Sequence, residues 1–171
     1  IGPLSRFETK NTPIKYDILV LLSGPEPQRS YLETLLFKEL TTFKGSVLFV
    51  KGLVENEIKK EVINSITVYN YLTSSLLEDA INQSDLVISR SGYTTIMDLV
   101  KLEKKAFFIP TPGQFEQEYL AERLHNLGMT PFCTQEEFRL DKLQEVSKFK
   151  GLQELNYELN CNKLFSLFHA K

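Results

Sequence analysis

Apolar residues along this chain fall into short unbroken runs separated by stretches with helical spacing. Tyr16 to Leu22 is one such run, followed by Val47 to Val50, Ile66 to Tyr71, Leu86 to Ile88 and Ala106 to Ile109. Runs of that length, rich in branched and aromatic residues, predict strands buried on both faces. Between them Leu32, Leu35, Leu36 and Leu40, then Leu76, Leu77, Ala80 and Ile81, recur at helical intervals. Further helices are predicted from about Thr94 to Leu102, from Phe115 to Leu127 with Gly128 as C-cap, from about Gln135 to Lys148, and from Leu152 to Phe168. Pro131-Phe132-Cys133 reads as a short edge strand. Strands alternating with helices predict an α/β fold, a Rossmann-like parallel sheet with helices on both faces. Residues 1–15, with two prolines and polar filler, read as a linker, and residues 16–171 as one domain.

In such sheets ligands bind beyond the carboxyl ends of the strands. Every candidate loop here follows a strand: residues 23–29, 71–75, 89–95 and 111–117. The most informative stretch runs from Asp85 to Asp98. It reads as a buried strand, a hydroxyl-rich turn (Ser89, Ser91) with the single glycine Gly92, and a helix opening at Tyr93-Thr94-Thr95. That order leaves unpaired N–H groups and the positive end of a helix dipole at the sheet edge, a favourable place for a phosphate or diphosphate. Asp98 lies four and three residues after Thr94 and Thr95, on the same helix face, where its carboxylate can accept hydrogen bonds from a ribose diol. Thr95-x-x-Asp98 is equally a capping box that needs no ligand.

The first loop, Ser23-Gly24-Pro25-Glu26-Pro27-Gln28-Arg29, carries neither common glycine-rich nucleotide fingerprint, and its two prolines remove N–H donors. Arg29 begins the next helix, either reaching an anion over the sheet edge or serving as a surface charge. Gln117 stands in the first turn of the Phe115 helix, where its amide can both donate to and accept from sugar hydroxyls, or is simply solvated.

Composition narrows the choice. A chain of 171 residues with 42% hydrophobic and 25% charged residues suits one globular domain. A formal net charge of −2 excludes a general nucleic-acid binder, so any phosphate site is local. Cys133 and Cys161 lack metal-ligand spacing, and His125 and His169 have no Ser, Cys or second His at a meaningful interval, which argues against a zinc site or a nucleophilic triad. No Asp-x-Asp motif is present, so no metal or other cofactor is implied. No apolar run reaches membrane-spanning length and no signal peptide is visible, so a reducing cytoplasm is the expected compartment. The chain starts at Ile1 rather than Met, as an excised domain would.

Taken together these loops resemble the C-terminal, donor-binding domain of glycosyltransferase family 28. The resemblance rests on Asp85 to Ile88, Arg90-Ser91-Gly92, Asp98, Pro110, Gln117-Glu118 and Tyr119, which match the family pattern in order and spacing over most of residues 16–128. It implies one half of a GT-B architecture that binds a UDP-sugar, with a hexosamine or hexose as donor sugar and with acceptor and catalytic base on a missing N-terminal half. By that resemblance the backbone around Ser91, Gly92, Tyr93, Thr94 and Thr95 holds the diphosphate and Asp98 takes the place of a ribose-binding glutamate. Gln117 matches the first of two glutamines near the donor sugar, with Glu118 in place of the second. Leu72 falls near the place where uracil is read through backbone groups, and Arg29 matches an arginine after the first loop. Residues 1–15 then become an interdomain linker, and the missing half a route to peripheral membrane association. Ala121-Glu122 stands where Asn-Ala is common, and Asp98 is one methylene shorter than the usual glutamate. A sugar-nucleotide epimerase of the same architecture, with Glu116 and Glu118 as its only nearby acid–base candidates, is a rival expectation. Another is a non-catalytic donor-binding chain that docks a separate partner.

Overall fold

The computed structural model describes residues 4–152. Within them the chain forms β1 (Tyr16–Leu21), α1 (Gln28–Leu40), β2 (Val47–Val50), β3 (Lys60–Ile63), β4 (Ile66–Tyr69) and α2 (Ser74–Asn82). There follow β5 (Ser84–Ser89), α3 (Tyr93–Lys101), β6 (Lys105–Phe108), α4 (Phe115–Asn126) and a 3-10 segment, Leu140–Lys148. The helix expected from Leu152 to Phe168 lies, apart from Leu152 itself, outside the described residues.

One six-stranded sheet runs in the order β3-β4-β2-β1-β5-β6. All neighbours are parallel except β3 and β4, with Leu19 of β1 facing Leu48 of β2 on one side and Val87 of β5 on the other. The unbroken apolar runs are explained by burial on both faces. Ile18, Val20, Val47, Phe49, Leu86 and Ile88 point into a core with Leu32, Leu36 and Leu40 of α1 and with Phe138. Leu19, Leu48, Val50 and Val87 point the other way, into a core with Ile81 of α2, Ile96 and Leu99 of α3, and Ala121 and Leu124 of α4. Helices therefore cover both faces of a mainly parallel sheet, as the alternation predicted.

Three details depart from or refine the expected layout. The hairpin strand β3 was not legible because Lys60, Glu61 and Val62 are all exposed and carry no apolar run. It pairs antiparallel with β4 across Asn64-Ser65, with Asn64 at φ 55°, a conformation that asparagine tolerates in two-residue turns. Charged side chains on this edge strand also discourage pairing with another sheet. The helix expected from Gln135 to Lys148 is instead a turn followed by 3-10 structure. Leu140, Leu143 and Val146 are spaced three apart and pack on the α1-side core, and a strict three-residue period suits the 3-10 repeat rather than 3.6. Pro131 to Cys133 makes only an isolated parallel bridge, Phe108 with Phe132. Gly128, at φ 70°, ends α4 as expected: its N–H bonds to His125 O (2.8 Å), and Met129 N–H to Leu124 O (2.9 Å).

Residues 4–15 form no strand or helix, yet they are tied down along α2 and α3. Phe7 is 2% exposed within the core shared by these helices. Glu8 N–H donates to Glu78 (2.7 Å), Lys10 N–H to the Asn82 side chain (2.9 Å), and the Lys10 ammonium pairs with Glu78 (2.6 Å) and Asp79 (2.7 Å). This segment is a strap, and its anchor is apolar. Phe7→Ala should therefore cost about 3–5 kcal/mol of folding free energy in a urea titration, the range for emptying a packed aromatic site. A loose tether would lose almost nothing.

Candidate functional site

In the order β4-β2-β1-β5-β6 the chain moves outward from β1 to one side, then returns to start β5 on the other. The C-terminal ends of β1 and β5 therefore flank a topological switch point, where the loops diverge and leave a crevice. The loops after β1, β4, β5 and β6 all open on this edge, which brings residues 22–27, Leu72, residues 90–92 and residues 109–114 to one side of the sheet.

The turn after β5 is built to present N–H groups. Gly92 is the N-cap of α3, at φ −70° and ψ 144°, and no side chain caps the helix. Because α3 starts at Tyr93, Thr95 sits inside the first turn rather than at the cap, and the Thr95-x-x-Asp98 capping box does not form. The N–H groups of Gly92, Tyr93, Thr94 and Thr95 have no partner among the described residues. Gly92 has an ordinary extended backbone, and a Cβ built there would meet nothing within 4 Å. Neither conformation nor packing within the chain requires glycine at this position, so the space in front of it is free for an outside group to approach the backbone.

Ser91 is fully buried, and its hydroxyl donates to the backbone carbonyl of Gln117 (2.7 Å), locking the start of α3 to the first turn of α4. The Gln117 side chain is turned inward on its own loop. Its carbonyl accepts from Thr111 N–H (2.9 Å), and its amide donates to Gln114 Oε1, which leaves one amide N–H uncommitted. Glu118 accepts from Gly113 N–H (2.9 Å), so both residues shape the loop after β6. Asp98 is half-buried and accepts a hydrogen bond from Ser5 of the strap (2.6 Å). Leu72 lines a 210 Å³ groove with Tyr69, Leu76 and Ala80, while its backbone N–H and C=O have no hydrogen-bond partner among the described residues.

Arg29 lies at the edge but is already engaged by the chain. It is 6% exposed, and all five of its N–H groups are spent on Glu26, Glu33, Ser30 and the Lys51 carbonyl. Glu26 in turn accepts from Ser30 N–H, and its bonds to Ser30 and Arg29 hold its carboxyl below the usual range. An acidic side chain thus occupies the start of α1, where a phosphate-binding loop would want none.

The cation that does matter at this edge was read only as a motif letter. Arg90 is 1% exposed and donates to four oxygens: Ile109 O (3.1 Å), Pro110 O (2.9 Å), Gln28 O (3.0 Å) and Gln135 Oε1 (2.6 Å). Among the described residues it pairs with no carboxylate, and its Nε–H has no partner. Burial pushes its pKa down to about 10, so it remains a cation at neutral pH. The available signal was an arginine ending an otherwise apolar strand, where burial on both faces was already predicted. Helix N-termini and an unneutralised guanidinium give the edge an anion-attracting character.

Known proteins share this chain's sequence pattern and fold. The family model described as glycosyltransferase family 28 C-terminal domain matches residues 45–161. The UDP-N-acetylglucosamine--N-acetylmuramyl-(pentapeptide) pyrophosphoryl-undecaprenol N-acetylglucosamine transferase of Buchnera aphidicola is 26% identical over 169 residues, covering 95% of this chain and 44% of that protein. The Haemophilus ducreyi protein of the same name is 25% identical over 154 residues, covering 85% of this chain and 42% of its own length. The chain thus spans less than half the length of these curated relatives. The crystal structure of Acinetobacter baumannii MurG superposes with a TM-score of 0.64 at 14% identity, over 94% of this chain and 51% of that one. The solution structure of ALG13 gives 0.58 at 16% identity, over 91% of this chain and 95% of that one. The fold is that of one half of a GT-B glycosyltransferase.

Replacing Arg90 with Met should strand four oxygens and destabilise the fold by about 2–4 kcal/mol, because removing the charged donor leaves its acceptors unpaid. Chemical denaturation measures this directly. An unchanged midpoint would mean that water replaces the guanidinium at no cost.

Proposed function

The chain belongs to glycosyltransferase family 28, and from that premise we propose that it is the donor-binding half of a glycosyltransferase. Its substrate is a UDP-sugar, from which a hexosamine or hexose passes to an acceptor held elsewhere. The observation that carries this reading is the row of free N–H groups from Gly92 to Thr95, fronted by a glycine that the fold itself does not need. A diphosphate placed there meets four donors and the positive end of α3, with Arg90 buried behind the turn. Ser91 contributes backbone only, since its hydroxyl is committed to Gln117.

Asp98 accepts the ribose diol, and the free backbone pair of Leu72 offers a donor and an acceptor to the imide edge of uracil. Gln117 and Glu118 hold the loop beside the sugar, with one Gln117 N–H left for a sugar hydroxyl. The charge that develops on the departing UDP is stabilised by the same N–H groups that bind it. Residues 1–15 lead from an acceptor-binding half upstream, which also supplies any peripheral contact with a membrane, and the whole works in the cytoplasm. Among the described residues no helix is long and apolar enough to cross a membrane.

Calorimetry tests the site. UDP should bind with measurable heat and ADP more weakly, and equal affinity for the two would remove the uracil assignment. Asp98→Ala should weaken UDP binding by about 1.5–3 kcal/mol, the scale of hydrogen bonds to a charged group. Gly92→Ala should leave the melting temperature unchanged while lowering UDP affinity. A drop in melting temperature with intact binding would mean that glycine serves the fold after all. The chain alone should release no UDP from UDP-N-acetylglucosamine, and robust turnover without an added half would overturn the half-enzyme reading.

A further inference from the structure

The hydroxyl of Ser5 donates to Asp98 Oδ1 at 2.6 Å and accepts from the N–H of Phe7 at 3.1 Å. These two residues are 93 positions apart, so the contact depends on how the strap lies on α3. A serine hydroxyl has one proton, and accepting from Phe7 N–H fixes the oxygen that carries it. The proton is therefore aimed. Phe7 anchors the arrangement, 2% exposed in the core cluster that also holds Ala80, Ile81, Leu99 and Leu102. On the far side of Phe7, Asn82 takes the Glu8 carbonyl (3.1 Å) and Lys10 N–H (2.9 Å), and Thr9 donates to the Lys101 carbonyl (3.2 Å). The strap is thus pinned over residues 7–10, directly after Ser5.

We infer that Ser5 is a positioning residue for Asp98, and that donor binding and strap docking reinforce each other through this hydrogen bond. The inference rests on the reading of Asp98 as the ribose carboxylate. A half-buried aspartate in the second turn of a helix is free to rotate about two side-chain bonds, and a ribose diol gains only when both oxygens face it. Ser5 removes that freedom in advance while using one acceptor position of a carboxylate that has about four. The remaining oxygen and lone pairs stay open to the diol. Asp98 is short, so its reach leaves little room for reorientation, and fixing it matters more than fixing a longer side chain. Because coupling free energy is reciprocal, a ligand that prefers the oriented carboxylate also stabilises the docked strap.

The test uses the 171-residue chain with UDP as probe. Ser5→Ala should weaken UDP binding roughly three- to tenfold, the worth of one hydrogen bond, with Ser5→Thr retaining it. On an Asp98→Ala background the same Ser5→Ala change should have no effect on binding. UDP should slow amide exchange at Phe7 and Lys10 in the wild type and lose that effect in Ser5→Ala. Equal or tighter binding by Ser5→Ala, or the same loss on both backgrounds, overturns the positioning role. If wild type binds UDP and Asp98→Ala binds it equally well, the ribose assignment itself fails. That outcome is distinct from one in which Asp98 matters and Ser5 does not.

Discussion

Moving a guanidinium out of water costs several kcal/mol, and Arg90 offsets that cost with oxygens of neutral groups rather than with a carboxylate. The choice has two consequences. The first is mechanical. Gln28 belongs to the start of α1, Ile109 and Pro110 to the chain leaving β6, and Gln135 to the turn before the 3-10 segment. One planar group thus holds three stretches of chain around the end of β5, and the crevice between the strand ends keeps its shape because those stretches cannot move independently. The second is electrostatic. A carboxylate partner would have cancelled the charge, whereas carbonyl dipoles leave a net positive potential behind the turn that opens α3.

Arg29 shows the opposite solution a few residues away. It is nearly as buried, but Glu26 and Glu33 pair with it at 2.6 Å each and Lys51 pairs with Glu33 at 3.0 Å, so the two cations and two carboxylates balance. Two arginines at one sheet edge, equally plausible from their positions in the chain, are sorted by partners that only the fold brings together. The same sorting applies to glycines. Gly128 is needed for its own φ of 70°, whereas Gly92 has an ordinary backbone and open space before it, so the fold requires a glycine only at the former.

The layers of the fold were legible because strands buried on both faces must be apolar throughout and the helices between them must be apolar on one side. That logic found β1, β2, β4, β5 and β6, and the α-helices α1 to α4. It failed where burial was absent or the period was different: Lys60 to Ile63 is exposed and strand-like only through its partner, and Leu140, Leu143 and Val146 repeat every three residues. At the edge, the Ser91-Gly92-Tyr93 turn was legible because helix starts have a local grammar. The roles of Arg90, Ser5 and Gln117 were not, since each is fixed by hydrogen bonds to residues 19 to 93 positions away or, for Gln117, by a loop that folds back on it.

The carboxylates near the crevice bear on which chemistry this half can carry by itself. Acid–base work at a sugar carbon needs a carboxyl group that can give and take a proton close to the reacting atom. Glu118 accepts a hydrogen bond from Gly113 N–H, and Glu26 is held by Arg29 and Ser30. Asp98 carries the Ser5 proton donor on one oxygen. Each of these groups is thus engaged as an acceptor, which suits binding and orientation better than proton transfer. Glu116 is exposed at the first turn of α4. An edge rich in fixed donors and poor in uncommitted acids is equipped to hold a diphosphate and stabilise its departure. None of these carboxylates is placed as a free base beside an acceptor.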